Sequence, residues 1–167
     1  MSIIRLIGDV NEAMFLHLST QLEKLEKARA LHCTIELSSE GGVAYDGLAI
    51  AGRMQTSPVL ITVRAYGKVM SAATAILAAG DRRECSRETW IMFHDSADKF
   101  KGQLTDLERR AKQLEAEEQQ WANLMELHTG TPEAAWRKLS TKTTYLTATQ
   151  AYQLGLIDRI LEGKRKT

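Results

Sequence analysis

Apolar and polar positions along the chain switch between two periods, and each switch marks a new element. Ile3, Ile4, Leu6 and Ile7 form a strand-like run closed by Gly8. Asn11 can then cap a helix whose Phe15, Leu18, Leu22 and Leu25 recur at helical spacing. Cys33 to Leu37 is again strand-like, Gly41-Gly42 interrupts it, and Val43 to Met54 predicts a second helix that can bury Leu48, Ala51 and Met54. Leu60 to Tyr66 predicts a third strand ending at Gly67, with a turn from Gly67 to Met70. The small and apolar residues from Ser71 to Gly80 then predict a third helix. Strands alternating with crossover helices predict an α/β fold with a largely parallel sheet.

Trp90 to His94 supplies one more strand. A long helical segment follows at about 103–129, with Leu107, Leu114, Trp121 and Leu124 set among Glu108, Arg109, Arg110, Lys112, Glu115, Glu117 and Glu118. A helix so rich in charge cannot be wholly buried. A short helix starting at Thr131-Pro132, another over Thr147 to Leu154, and a final strand from Leu156 to Ile160 complete the pattern, leaving the Lys164-Arg165-Lys166 tail solvated. No repeat, low-complexity linker or shift of composition divides the 167 residues, so 1–167 reads as one domain.

Charge narrows the function. With 22 basic and 21 acidic residues the formal charge is +1, which gives no reason to expect binding to nucleic acid or to an anionic membrane. No run of about eighteen apolar residues occurs, and no basic segment leads into an apolar one at the start, so neither membrane spanning nor secretion is expected. Cys33 and Cys85 are too few for a disulfide framework and lack metal-ligand spacing, which fits a reducing, cytoplasmic setting.

Three features suggest chemistry together. A serine hydrolase needs a nucleophile, a base able to take its proton near neutral pH, and backbone donors aimed at the developing oxyanion. Ser71 follows a strand and opens a helix, where free N–H groups and the positive helix end converge. Taken alone it also fits an ordinary helix cap. His94 ends the Trp90-Ile-Met-Phe strand, where a histidine is more often structural, and Gly41-Gly42 alone could be a plain turn. In one order on a compact βα scaffold, strand–GlyGly–helix, strand–Gly-x-x-x-Ser–helix and strand–His point to a site.

At these residues the sequence resembles the Clp protease (ClpP) family. Ser38-Ser39-Glu40-Gly41-Gly42 is similar to the family's Asn-Ser-Pro-Gly-Gly, and Gly67-Lys-Val-Met-Ser71-Ala-Ala resembles its nucleophile segment. Ile91-Met-Phe-His94 is similar to its Val-Met-Ile-His, and Gly102-Gln103 through Leu124-Met-Glu-Leu-His-Thr-Gly130 resembles its handle helix. The likeness spans nearly the whole chain. It implies a ClpP/crotonase-like repeated βαβ spiral with a protruding handle helix, Ser71 as nucleophile, His94 as base, and the amides of Gly41 and Ala72 as the oxyanion hole. It further implies that Gly42 and Val43 pair with an extended polypeptide substrate. Family members cleave unfolded polypeptides without metal or organic cofactor, in a homo-oligomeric chamber of two stacked heptameric rings fed by an AAA+ unfoldase.

Some positions depart from the family pattern. Where it carries an orienting aspartate, the match falls on Thr143, whose hydroxyl can accept the Nδ1–H bond but brings no charge to stabilise an imidazolium. Asp95 and Asp98 are substitutes, though Asp95 directly follows His94, and adjacent strand residues face opposite ways. Lys68 allows a Ser–Lys dyad, with an exposed loop lysine as the plainer reading. Glu40 stands in place of proline and Lys142 in place of arginine. Two other readings share the superfold: a catalytically silent ring subunit, and an acyl-CoA hydratase or isomerase, which would need a carboxylate acid/base in its pocket.

Overall fold

The computed structural model describes residues 2–95 and 101–163; Asp98 and the basic tail lie outside them. Strand β1 (Ser2–Ile7) buries Ile4 and Leu6 and turns its alternate residues outward. Helix α1 (Glu12–Lys27) is capped by the Asn11 carboxamide, which accepts from the Met14 amide at 3.0 Å, and it buries Met14, Leu18 and Leu22. Strand β2 (His32–Ser39), helix α2 (Ala44–Gln55), strand β3 (Leu60–Met70) and helix α3 (Ala73–Ala78) continue the alternation. Strand β4 (Arg82–Ser86) and strand β5 (Trp90–Phe93) precede the long helix α4 (Leu104–Thr129), which ends at Gly130 in the left-handed region (φ 71°). Helix α5 (Glu133–Ser140), strand β6 (Thr144–Thr147), helix α6 (Ala148–Gln153) and strand β7 (Arg159–Leu161) follow.

The α/β expectation holds. Strands run in the order β1-β2-β3-β4-β7, all parallel, while β5 pairs with β3 and is joined antiparallel by β6. Three details correct the sequence reading. The segment Gly67 to Met70 is not a turn but the second half of β3, and Gly67 takes φ 68° where the strand bends. There the register against β2 shifts between Leu37 and Ser39. The bend divides the partners of β3: Thr62 to Ala65 pair with β4, whereas Lys68 to Met70 pair with β5. Second, β4 and β6 are strands the hydrophobic pattern did not mark. Third, the last strand begins at Arg159 rather than Leu156, because Leu156 and Ile157 are drawn into the core ahead of it.

One face of the sheet carries a charge ladder. The register sets Arg5 beside Glu36, Glu36 beside Arg64, Arg64 beside Glu84 and Glu84 beside Arg159, so signs alternate across five strands. Glu84 is 3% exposed and meets Arg64 at 2.8 Å and Arg82 at 3.0 Å. Its carboxylate holds the Arg64 guanidinium above its ordinary range. Removing one partner of a buried pair typically costs about 3–5 kcal/mol. Here the arginines keep part of their water, so Glu84→Ala is expected to destabilise the fold by about 2 kcal/mol, read from the urea midpoint at constant slope.

The opposite face meets α1 and α2 in a continuous core that includes Leu18, Ile35, Ile50, Val63, Ile76 and Leu77. Cys33 and Cys85 sit inside it, and burial pushes each thiol up to about 11, with the charge of Asp81 contributing at Cys33. Neither is expected to react with iodoacetamide at pH 8 in the native protein, and both are expected to react in denaturant; peptide mapping checks this. No helix of the described residues is long and apolar enough to cross a membrane.

Candidate active site

Ser71 stands at the corner between β3 and α3 with φ 52°, a left-handed backbone uncommon for a residue with a side chain. This corrects the expectation that Ser71 opens a helix, since α3 begins two residues later. Three elements hold the corner. The Ser71 amide donates to the Met92 carbonyl of β5 at 2.8 Å, and the Ser71 carbonyl accepts from the Thr74 amide at 2.9 Å and the Thr74 hydroxyl at 2.6 Å. Trp121 of α4 then donates its indole N–H to the Thr74 hydroxyl at 3.0 Å. Backbone strain of this kind persists only where the surroundings over-determine it.

His94 directly follows β5, whose Met92 pairs with Met70 at the end of β3. Ser71 and His94 therefore lie at the carboxyl ends of neighbouring parallel strands, the edge where open α/β sheets place ligands. Their side chains meet: His94 Nε2 is 2.9 Å from Ser71 Oγ. If Nε2 accepts, the ring proton resides on Nδ1. Phe93 anchors the strand end, its ring 5.7 Å from Trp121 and 5.5 Å from Trp136.

Gly41 and Gly42 approach from β2. Gly41 (φ 98°) lies so close to the corner that a Cβ would stand 2.7 Å from Ser71 Cβ and 2.6 Å from the Met70 carbonyl oxygen. Its amide, assigned by resemblance to the oxyanion hole, donates in this conformation to Ser39 Oγ at 3.0 Å. Among the described residues no hydrogen bond to another segment engages the Ala72 amide. Gly42 forms an isolated parallel bridge with Val10, flanked by Val10 N–H to the Gly41 carbonyl (2.8 Å) and Val43 N–H to the Val10 carbonyl (2.9 Å). In that pattern Gly42's own N–H and C=O face away from Val10. Val43 is different: its amide is committed to Val10, and its carbonyl accepts from Gly47 at 3.1 Å. The Val43 side chain is half-exposed.

The remaining candidates sit as follows. Phe93 pairs with Thr144 at the end of the β5–β6 ladder, and His94 and Thr143 adjoin that last pair on the two strands. Thr143 is exposed, and among the described residues no hydrogen bond joins it to His94. Asp95 is exposed. Lys68 lies in β3 rather than a loop and forms an ion pair with Glu40, which holds the Glu40 carboxyl below its usual range.

Beside Ser71 and His94 lies a pocket of about 520 Å³, counting its open mouth, walled by Leu48, Ala75, Phe93 and Trp121. Glu117 and Glu118 of α4 also line it. Sequence reasoning counted both only among the charged residues of the long helix. The usable signal was spacing, since Glu117 and Glu118 lie four and three residues before Trp121, on its face of the helix.

A serine and a histidine in hydrogen-bond contact, beside an apolar pocket and glycine-bracketed backbone, form the arrangement of an α/β protein suited to acyl transfer. The Clp protease family model matches residues 1–164, and the chain belongs to that family. At family level it is a ClpP-like protease, and its mostly parallel α/β sheet is consistent with the ClpP fold. The family generally forms oligomeric rings that act on polypeptides.

Proposed function

We propose that this chain is a serine endopeptidase that cleaves unfolded polypeptides through an acyl-enzyme. The observation that carries the reading is the 2.9 Å contact between Ser71 Oγ and His94 Nε2, made on a strained corner. Ser71 Oγ attacks the scissile carbonyl carbon while its proton passes to His94 Nε2. The Ala72 amide meets the oxyanion, and the Gly41 amide joins it by releasing Ser39 Oγ. His94 then returns the proton to the departing amine, and water, activated by the same ring, releases the acyl group. The substrate lies as an added strand on the free N–H and C=O of Gly42, which fixes the scissile bond over Ser71.

By the same reading the chain works as a self-compartmentalising homo-oligomer in the cytoplasm, with a heptameric ring, a stacked tetradecamer, and an AAA+ unfoldase as feeder. Exposed Ile3, Ile7, Leu16, Leu31 and Leu127 supply apolar surface for contacts between copies. An acyl-CoA hydratase would find carboxylates in Glu117 and Glu118, but it would leave the Ser71–His94 pair without work and depart from the family assignment.

Fluorophosphonate labelling followed by intact mass is the test. One adduct per chain, absent in Ser71→Ala, supports the peptidase; no adduct on the assembled wild-type protein moves the reading to a silent ring subunit. Sedimentation gives the assembly, and a monomeric mass would count against the chamber.

A further inference from the structure

The pocket next to Ser71 has apolar walls but an acidic lining. Leu48, Ala75, Phe93 and Trp121 present hydrocarbon and aromatic surface, and Glu117 and Glu118 add two carboxylates. No lysine or arginine lines it among the described residues. The two acids are not equivalent. Glu117 is 5% exposed, and Arg110 Nη1 contacts its Oε1 at 3.1 Å, so its charge is compensated within the helix. Among the described residues Glu118 Oε1 accepts only from a neutral donor, the Ser140 hydroxyl, at 2.9 Å. One carboxylate without an ion-pair partner among the described residues therefore borders an otherwise apolar-walled cavity that begins at the serine–histidine pair.

A side chain entering such a cavity must be apolar along its stem and positive at its tip. A leucine would fill the walls but displace water from the Glu118 carboxylate without replacing its hydrogen bonds. An acidic side chain would meet like charge. A lysine or arginine lays its methylenes along Leu48 and Ala75, passes the ring faces of Phe93 and Trp121, and brings donors to the carboxylate.

Resting on the peptidase reading above, we infer that the pocket selects a lysine or arginine side chain on the acyl side of the scissile bond, with Glu118 as the residue that sets this preference. The Ser140 hydroxyl holds the carboxylate in place, and the Glu117–Arg110 pair keeps the second acid from repelling it.

Peptidyl diphenyl phosphonates with a lysine-like or a leucine-like side chain test this directly. Ser71 Oγ bonds to phosphorus, its proton goes to His94, and phenoxide leaves, so the labelling rate reads the pocket on the same nucleophile. Separate aliquots of the assembled protein are treated with a fluorophosphonate that carries no side chain and with each of the two phosphonates. The expected result is a lysine-over-leucine rate ratio of at least about tenfold, falling toward unity in Glu118→Gln and inverting in Glu118→Lys. Glu118→Gln keeps an acceptor for Ser140 and removes only the charge. If the fluorophosphonate labels Ser71 but leucine reacts faster, or the ratio is unaltered in Glu118→Gln, the inference is overturned and the peptidase reading stands. If the fluorophosphonate fails to label, both fall.

Discussion

Ser71→Ala is expected to lower kcat/KM for a fluorogenic peptide by about 10⁴–10⁶-fold, with His94→Ala close behind and the double variant no worse than the more damaged single one. The magnitude follows from how the pair works. Removing the hydroxyl removes the covalent route, and removing the imidazole leaves a hydroxyl that must ionise unaided near neutral pH. Each loss disables the same step, so the effects do not add. What survives comes from oxyanion donors and substrate positioning, which the Ala72 amide and the Gly42 edge still supply. Folding is not expected to suffer, because the Ser71 bonds to Met92 and Thr74 run through backbone atoms that alanine keeps. A non-glycine residue already occupies φ 52° there, so alanine adds little strain. Retained activity in purified Ser71→Ala would remove Ser71 from the chemistry.

Much of the fold was legible because its period is simple. β1, α1, β2 and α2 announce themselves by apolar spacing and by Asn11, and the glycines at 41 and 42 by their position after a strand. β4 was hidden for a physical reason: Arg82, Arg83 and Glu84 present no apolar alternation. In the fold Glu84 is buried because arginines on β3, β4 and β7 neutralise it. A one-residue window does not see that compensation. β6 is four residues long and carries one buried side chain, Leu146, too little to set a period. Gly67 read as a terminator although it bends a continuing strand, since a left-handed glycine serves either purpose.

The site was legible to a different depth. Ser71 and His94 could be named, and the family resemblance paired them, but the residue pattern alone did not give their contact, which depends on which strands neighbour each other, and β3 changes partner halfway along its length. The commitment of the Val43 amide to Val10, and of the Gly41 amide to Ser39, rests on hydrogen-bond direction, which no spacing encodes. The acidic lining of the pocket depends on how α4 crosses the sheet, so it too emerges only at the level of packing.

The second large effect is a gain. Thr143→Asp is expected to raise kcat by about 10–10³-fold, with KM little changed. Among the described residues no acceptor engages His94 Nδ1, so no carboxylate in contact with the ring orients it or balances the positive charge formed when Nε2 takes the serine proton. In well-studied triads an acid at that position is worth about 10⁴ in kcat. The β5–β6 ladder ends with Phe93 opposite Thr144, so His94 and Thr143 are the residues that adjoin that last pair on the two strands. The last paired residues of an antiparallel ladder have their Cβ atoms about 4.5–5.5 Å apart, and an aspartate at 143 is expected to reach the ring from just beyond that pair. The exposure of Thr143 limits the gain below the full 10⁴, because solvent screens a carboxylate there. A kcat-selective rise, lost again when His94→Ala is added, would show that the chain runs its chemistry on a serine–histidine pair lacking an acid. An unchanged kcat would mean that His94 is oriented from another direction.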